Sequence, residues 1–154
     1  MKIVTRFCFL IIIFLAQSSP ASSSFNQNLE NYNNLVKIID DQDKQIASFK
    51  VAIADNDQLR RYGLMNLEKL AKEYGMLFIF DRSNFISMWM KDTMIPLDML
   101  FIDGNNIIQD IKLSAKPYSL EIIKSKQKVD KVLEINAGLV DYYGIKQGYK
   151  VIVN

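Results

Sequence analysis

Two carboxylates set in apolar surroundings are the residues of this chain best placed to do chemistry. Asp98 interrupts the run from Leu97 to Ile102, and Glu134 interrupts the run from Val132 to Ile135. A strand through Leu97 to Asp103 puts Asp98 on one face with Leu100 and Ile102, so its carboxylate points inward at one end of a core. A buried carboxylate needs a cation or hydrogen-bond donors. Lys91 and Arg61 are the expected partners, either as a structural ion pair bracing the Pro96 loop or as a polar cluster that orients a ligand. Arg61, Lys91, Thr93 and Asp98 form the candidate ligand-binding set, with Trp89 at its rim. Glu134 shares its strand face with Val132 and Asn136. Alternation predicts it outward on a half-exposed strand, although paired with Asp98 it would supply the second carboxylate that glycoside hydrolysis requires.

Other chemistry is excluded by composition. The chain has no histidine, and its single cysteine, Cys8, lies in the N-terminal leader. Ser-His-Asp and Cys-His catalysis and zinc sites built on imidazole or thiolate therefore cannot be assembled. The methionines after the leader, Met65, Met76, Met88, Met90, Met94 and Met99, bear thioethers that suit copper(I). They sit in apolar runs, where methionine is a common core filler, and no stronger ligand accompanies them. No catalytic residue, metal or cofactor is assigned.

The leader is residues 1–24: Lys2 and Arg6, then the apolar run Phe7 to Ala16, then the small polar stretch Gln17 to Ser24. That order describes a secretory signal peptide, and ten apolar residues fall short of the roughly 20 needed to span a bilayer. The expectation is an exported protein, periplasmic or secreted, that is not integral to the membrane once cleaved; an uncleaved anchor is the alternative. Of 19 basic and 17 acidic residues, the leader holds two basic ones, which leaves 17 of each and a neutral domain. Neutrality argues against a nucleic-acid partner.

The elements that must position the candidates follow from periodicity. Residues 25–34 are an asparagine-rich lead-in, and 35–154 form one β-rich domain. Strands are predicted at Leu35 to Ile39, Ala47 to Ala54, Met76 to Phe80, Phe85 to Met90, Leu97 to Asp103, Ile107 to Leu113, Val129 to Ile135 and Tyr149 to Val153. Short helices are predicted at Gln58 to Met65, from Asn66 to a stop at Gly75, and at Ala137 to Tyr143. About eight short strands and three short helices without βαβ alternation make a mostly β (α+β) fold, a sandwich or partly closed barrel. Six lysines between Lys112 and Lys131 oppose only Glu121 and Asp130, a basic stretch that solvates a surface or meets an anionic envelope component.

Several phrases, VAIAD, RYGLM, GMLFIF, WMKDT, IPLDMLFID and VLEINAG followed by GIKQG, resemble the domain-of-unknown-function 192 family from about Phe49 to Val153. The resemblance implies a small, mostly β domain, frequently exported from bacteria, with no catalytic residue to carry over. Two positions depart from the family pattern: Asp92 stands where asparagine is usual, and Asn66 where an apolar or aromatic residue follows GLM. The reading is an exported domain that binds a small molecule or envelope component. A carboxylate-dependent envelope hydrolase or lyase and a structural partner protein are the alternatives.

Overall fold

The computed structural model describes residues 32–154; the leader and most of the lead-in lie outside the described residues. The chain runs β1 (Asn34–Ile39), β2 (Gln45–Ala54), α1 (Asp57–Tyr62), β3 (Tyr74–Asn84), β4 (Ser87–Met88), β5 (Leu97–Ile102), β6 (Ile108–Ala115), β7 (Ile123–Lys124), β8 (Val129–Asn136), α2 (Leu139–Tyr143) and β9 (Lys150–Val153). Seven strands form one sheet in the order β6-β5-β8-β3-β2-β1-β9, and β4 pairs with β7 separately. Only β2 and β3 run parallel, joined by the crossover that carries α1. The fold is mostly β, as expected, and the sheet is not closed. Its edges nevertheless approach: Ile107 bridges Lys150, and the Val151 N–H donates to the Asn106 carbonyl at 2.8 Å.

Both faces of this sheet are buried. The inner core takes Phe49, Val51, Leu77, Leu100, Leu133 and Val151, with Leu139 and Val140 of α2. The outer core takes Ala52, Met76, Phe78, Met99, Phe101 and Val132, covered by Leu64, Leu67 and Leu70 and by Ile86, Met88 and Met90. Alternation in the central strands therefore separates two cores rather than core from solvent, and all of β5 is buried.

Asp98 belongs to the inner face with Leu100 and Ile102, as its spacing predicts. Opposite it, β6 slips register, since Leu97 pairs with Ala115 but Met99 with Lys112. Ser114 sits in that bulge at φ 46, and its N–H donates to Asp98 Oδ1 at 2.9 Å. Asp98 Oδ2 accepts from the Val140 N–H at 3.1 Å in the first turn of α2.

The helix expected from Asn66 to Gly75 does not form; two short helices are present among the described residues. Asn136 on β8 donates its amide to the Leu70 carbonyl at 2.9 Å and the Ala71 carbonyl at 3.3 Å, meeting acceptors in a non-helical path. Gly75 is not a helix stop but a residue of β3, where an added Cβ would lie 2.7 Å from the Glu134 carbonyl oxygen and 3.1 Å from Ile135 Cγ2. The strand expected over Phe85 to Met90 is paired only at Ser87 and Met88. Gly75→Ala should lower stability by about 1–3 kcal/mol in urea denaturation, through overpacking of rigid backbone; an unchanged midpoint would show that β3 and β8 can separate freely.

Candidate functional site

Glu134 occupies the middle of the sheet, on β8, with Met76 of β3 and Met99 of β5 beside it in register. Its side chain joins the outer face and is 4% exposed, which overturns the expectation of an outward-facing residue. No side chain or backbone group among the described residues hydrogen-bonds or ion-pairs with it. Every fully buried side-chain nitrogen or oxygen in those residues has a partner, so the Glu134 oxygens must retain an opening. That opening is a pocket of about 60 Å³ lined by Arg60, Arg61, Phe78, Met88, Trp89 and Thr93, among others. Burial pushes the Glu134 carboxyl up to about 8. At neutral pH the acid is mostly protonated, able to donate one hydrogen bond and accept another.

Outside this pocket lies a wider groove of about 580 Å³, lined by Asp57, Gln58, Arg61, Tyr62, Met65, Trp89 and Lys91. The groove and the pocket share Arg61, Tyr62, Met65 and Trp89. Neighbouring arginines on α1 behave differently. Arg60 is anchored, donating to the carbonyls of Asp55 at 2.8 Å and Ile79 at 2.7 Å and to Asp57 Oδ1 at 2.7 Å. Its hydrogen bond and charge hold the Asp57 carboxyl below the usual range, and the charge of Arg61 adds to that. Arg61 makes no hydrogen bond or ion pair among the described residues, leaving its guanidinium for the groove.

The opposite wall comes from the connection after β4. Thr93 is buried, with its hydroxyl donating to the Lys91 carbonyl at 3.2 Å. Lys91 Nζ stands 5.5 Å from the Trp89 ring centroid. The walls are clasped together where the Asn66 N–H donates to the Asp92 carbonyl at 2.8 Å. Both residues have left-handed backbones, at φ 60 and φ 52. Asparagine and aspartate tolerate that region better than most side chains, which gives the Asp92 position a conformational role that either residue fills.

The structure thus brings Arg61, Lys91 and Thr93 to one groove and pocket, but not Asp98. Asp98 lies on the opposite face of the sheet, held by backbone donors rather than by Lys91 or Arg61. The same separation parts it from Glu134, so the two carboxylates that acid/base hydrolysis would draw on do not converge. No group of three or more potential His, Cys, Asp or Glu metal ligands occurs among the described residues. What the sequence missed about Glu134 is its burial. Its signal was present: Met76, Phe78, Met99 and Phe101, on its face of the neighbouring strands, are all apolar, so nothing there could meet water.

Residues 38–153 match the model of a family described as an uncharacterized ACR, domain of unknown function 192. The chain belongs to this family. No curated protein matches it. A crystal structure from Sinorhizobium meliloti 1021, labelled provisionally as a transcription regulator, is 37% identical with a TM-score of 0.75, over 78% of this chain and 92% of that one. A protein of unknown function from Novosphingobium aromaticivorans DSM 12444 is 30% identical with a TM-score of 0.73, over 77% of this chain and 83% of the other. Both are similar to this chain in overall structure as well as in sequence.

Two outcomes are expected from the two carboxyls. Folding tightens the hold of Glu134 on its proton, so unfolding releases that proton between its ordinary value of 4.5 and about 8. Stability should fall as pH rises through that window, by a few kcal/mol at about 1.4 kcal/mol per pKa unit. Glu134→Gln should flatten the decline between pH 5 and 9 in urea titrations; parallel profiles would mean the acid is stabilised as an anion. Asp98→Ala should cost about 2–3 kcal/mol by stranding the buried Val140 N–H and the partly buried Ser114 N–H, read as a lowered Tm with the groove intact.

Proposed function

We propose that this chain is an exported domain that binds a small molecule or envelope component in the groove beside α1, with a polar group of the ligand entering the pocket above Glu134. The observation that carries the reading is a buried acid with no hydrogen-bond or ion-pair partner among the described residues, opening onto a cleft whose rim carries Arg61 and Lys91, which make no ion pair among those residues either. Ligand sites characteristically combine a concave apolar wall with a few convergent polar groups and a perturbed acid. Each feature has a distinct role. Arg61 and Lys91 favour an anionic substituent, and the guanidinium can grip a carboxylate or phosphate with two parallel bonds. Trp89, Tyr62 and Met65 supply an apolar and aromatic wall. Protonated Glu134, with the Thr93 hydroxyl beside its pocket, can exchange hydrogen bonds with a hydroxyl, carbonyl or amide.

The groove volume of about 580 Å³ is in the range that encloses a compound the size of a mono- or disaccharide. Export follows from the leader and places the encounter outside the cytoplasm. The provisional regulator label of the Sinorhizobium protein concerns that protein. Screening anionic sugars and carboxylates by thermal shift, with Trp89 emission as a second readout, tests the proposal. For any ligand found, Arg61→Ala should weaken binding about tenfold or more, as loss of a charged contact does, and Glu134→Leu about fivefold or more, as loss of a neutral hydrogen bond does. Undiminished affinity in both variants would move the site elsewhere.

A further inference from the structure

The connection around β4 and the segment leading into β7 lie side by side on the outer layer. Their strands pair Ser87 with Lys124 and Met88 with Ile123. The Met90 N–H donates to the Ser119 carbonyl at 3.0 Å, and the Tyr118 N–H to the Thr93 carbonyl at 3.1 Å. With Ile86, Met88 and Met90 turned into the outer core, the intervening side chains must face out. They are not polar. Phe85, Trp89, Met94, Tyr118, Leu120 and Ile122 are all exposed, with Leu120 at 66% and Tyr118 at 59%. More than half of the large apolar side chains exposed in the described residues belong to these two segments, so this is a patch rather than scatter.

Charge around the patch is one-sided. Lys91, Lys116, Lys124 and Lys128 are exposed on the same two segments, and no salt bridge takes any of them among the described residues. Lys126 is held by Asp110 at 2.9 Å. Lys124 Nζ lies 5.5 Å from the Phe85 ring and Lys91 Nζ 5.5 Å from the Trp89 ring, so cations and aromatics alternate across one face. The only carboxylates on these stretches are Asp92 and Glu121.

A protein partner's apolar face would not require surplus lysines, and a solvated surface would not carry leucine, isoleucine and tryptophan together. An interface of acyl chains beneath anionic headgroups requires both. We propose that this face docks the domain peripherally on an anionic membrane surface, with Leu120, Ile122 and Trp89 entering the headgroup layer and the lysines meeting phosphate. The patch adjoins the groove at Trp89 and Lys91 but extends beyond it, because Leu120, Ile122 and Lys128 line neither the groove nor its pocket.

Trp89 is the chain's single tryptophan and borders both the patch and the groove, so its emission reports contact at either, and the substitutions below tell the two apart. The full chain is titrated with phosphatidylglycerol–phosphatidylcholine vesicles and with phosphatidylcholine vesicles, using brominated acyl chains as quencher. The expected result is a blue shift and quenching with anionic vesicles, weakened by salt. The double substitution Leu120→Ser with Ile122→Ser should reduce vesicle affinity about tenfold or more, as loss of buried apolar area does, with Tm unchanged. Lys124→Glu with Lys128→Glu should remove the preference for anionic lipid. Vesicle binding without change at Trp89 would assign the membrane contact to the apolar run Phe7 to Ala16 and overturn the proposal. So would binding lost in Arg61→Ala but kept in the serine variant, which would place a headgroup in the groove. A concentration-dependent dimer abolished by the serine substitutions would make the occupant a second copy of this chain and overturn it as well.

Discussion

The structure depends on a sheet that has no solvent face over its central strands. Strands β5, β8 and β3 lie between an inner core closed by α2 and an outer core closed by the segments around α1 and β4. Burying both faces of three strands supplies the apolar area that lets a domain without disulfides hold together. It also imposes a constraint: any polar side chain on those strands must be met by the protein or face a cavity. Two acids are buried there, Asp98 and Glu134, and they answer the constraint in opposite ways.

Asp98 is met by the protein. A register slip in β6 frees the Ser114 N–H, the start of α2 offers the Val140 N–H, and both converge on one carboxylate. The arrangement joins β5, β6 and α2 and accounts for an acid at that position without a ligand. Glu134 is not met. Its neighbours along the sheet are Met76 and Met99, its only polar outlook is the pocket, and it therefore stays mostly neutral near pH 7. Of the two acids, the one with a complete set of protein partners is structural, and the one without is the better pointer to a ligand.

Much of this fold could be read from periodicity because most strands alternate cleanly and end at turn residues. The β5–β6 hairpin at Asp103 to Asn106, the side of β5 that Asp98 faces, and the stop of α2 at Gly144 all followed from local chemistry. The failures have one origin. Leu67, Leu70 and Tyr74 have helical spacing because they reach the outer core, and a turn stapled by Asn136 brings them there as well as a helix would. Glu134 looked outward because alternation identifies a face but not what covers it. Arg61, Lys91 and Thr93 were legible as a group since the polar residues of an otherwise apolar stretch collect in its connection. Asp98, three residues after Ile95 in the same phrase, was drawn into that group by sequence proximity, although strand parity turns it to the other face.

The clasp between Asn66 and Asp92 explains why the groove persists at all. Six-residue α1 buries no side chain fully, and a helix that short has little stability of its own. It is fastened by the Asn56 cap, by Arg60 to the Ile79 carbonyl, and downstream by the bond to the Asp92 carbonyl. Two left-handed residues meeting across a gap are an unusual use of backbone, since such conformations persist only where surroundings enforce them. Here they hold the α1 segment and the Trp89 to Thr93 segment at a separation that neither core requires. With Arg60 spent on that fastening, Arg61 remains free beside it. The division of labour between adjacent arginines turns a packing element into the rim of a site.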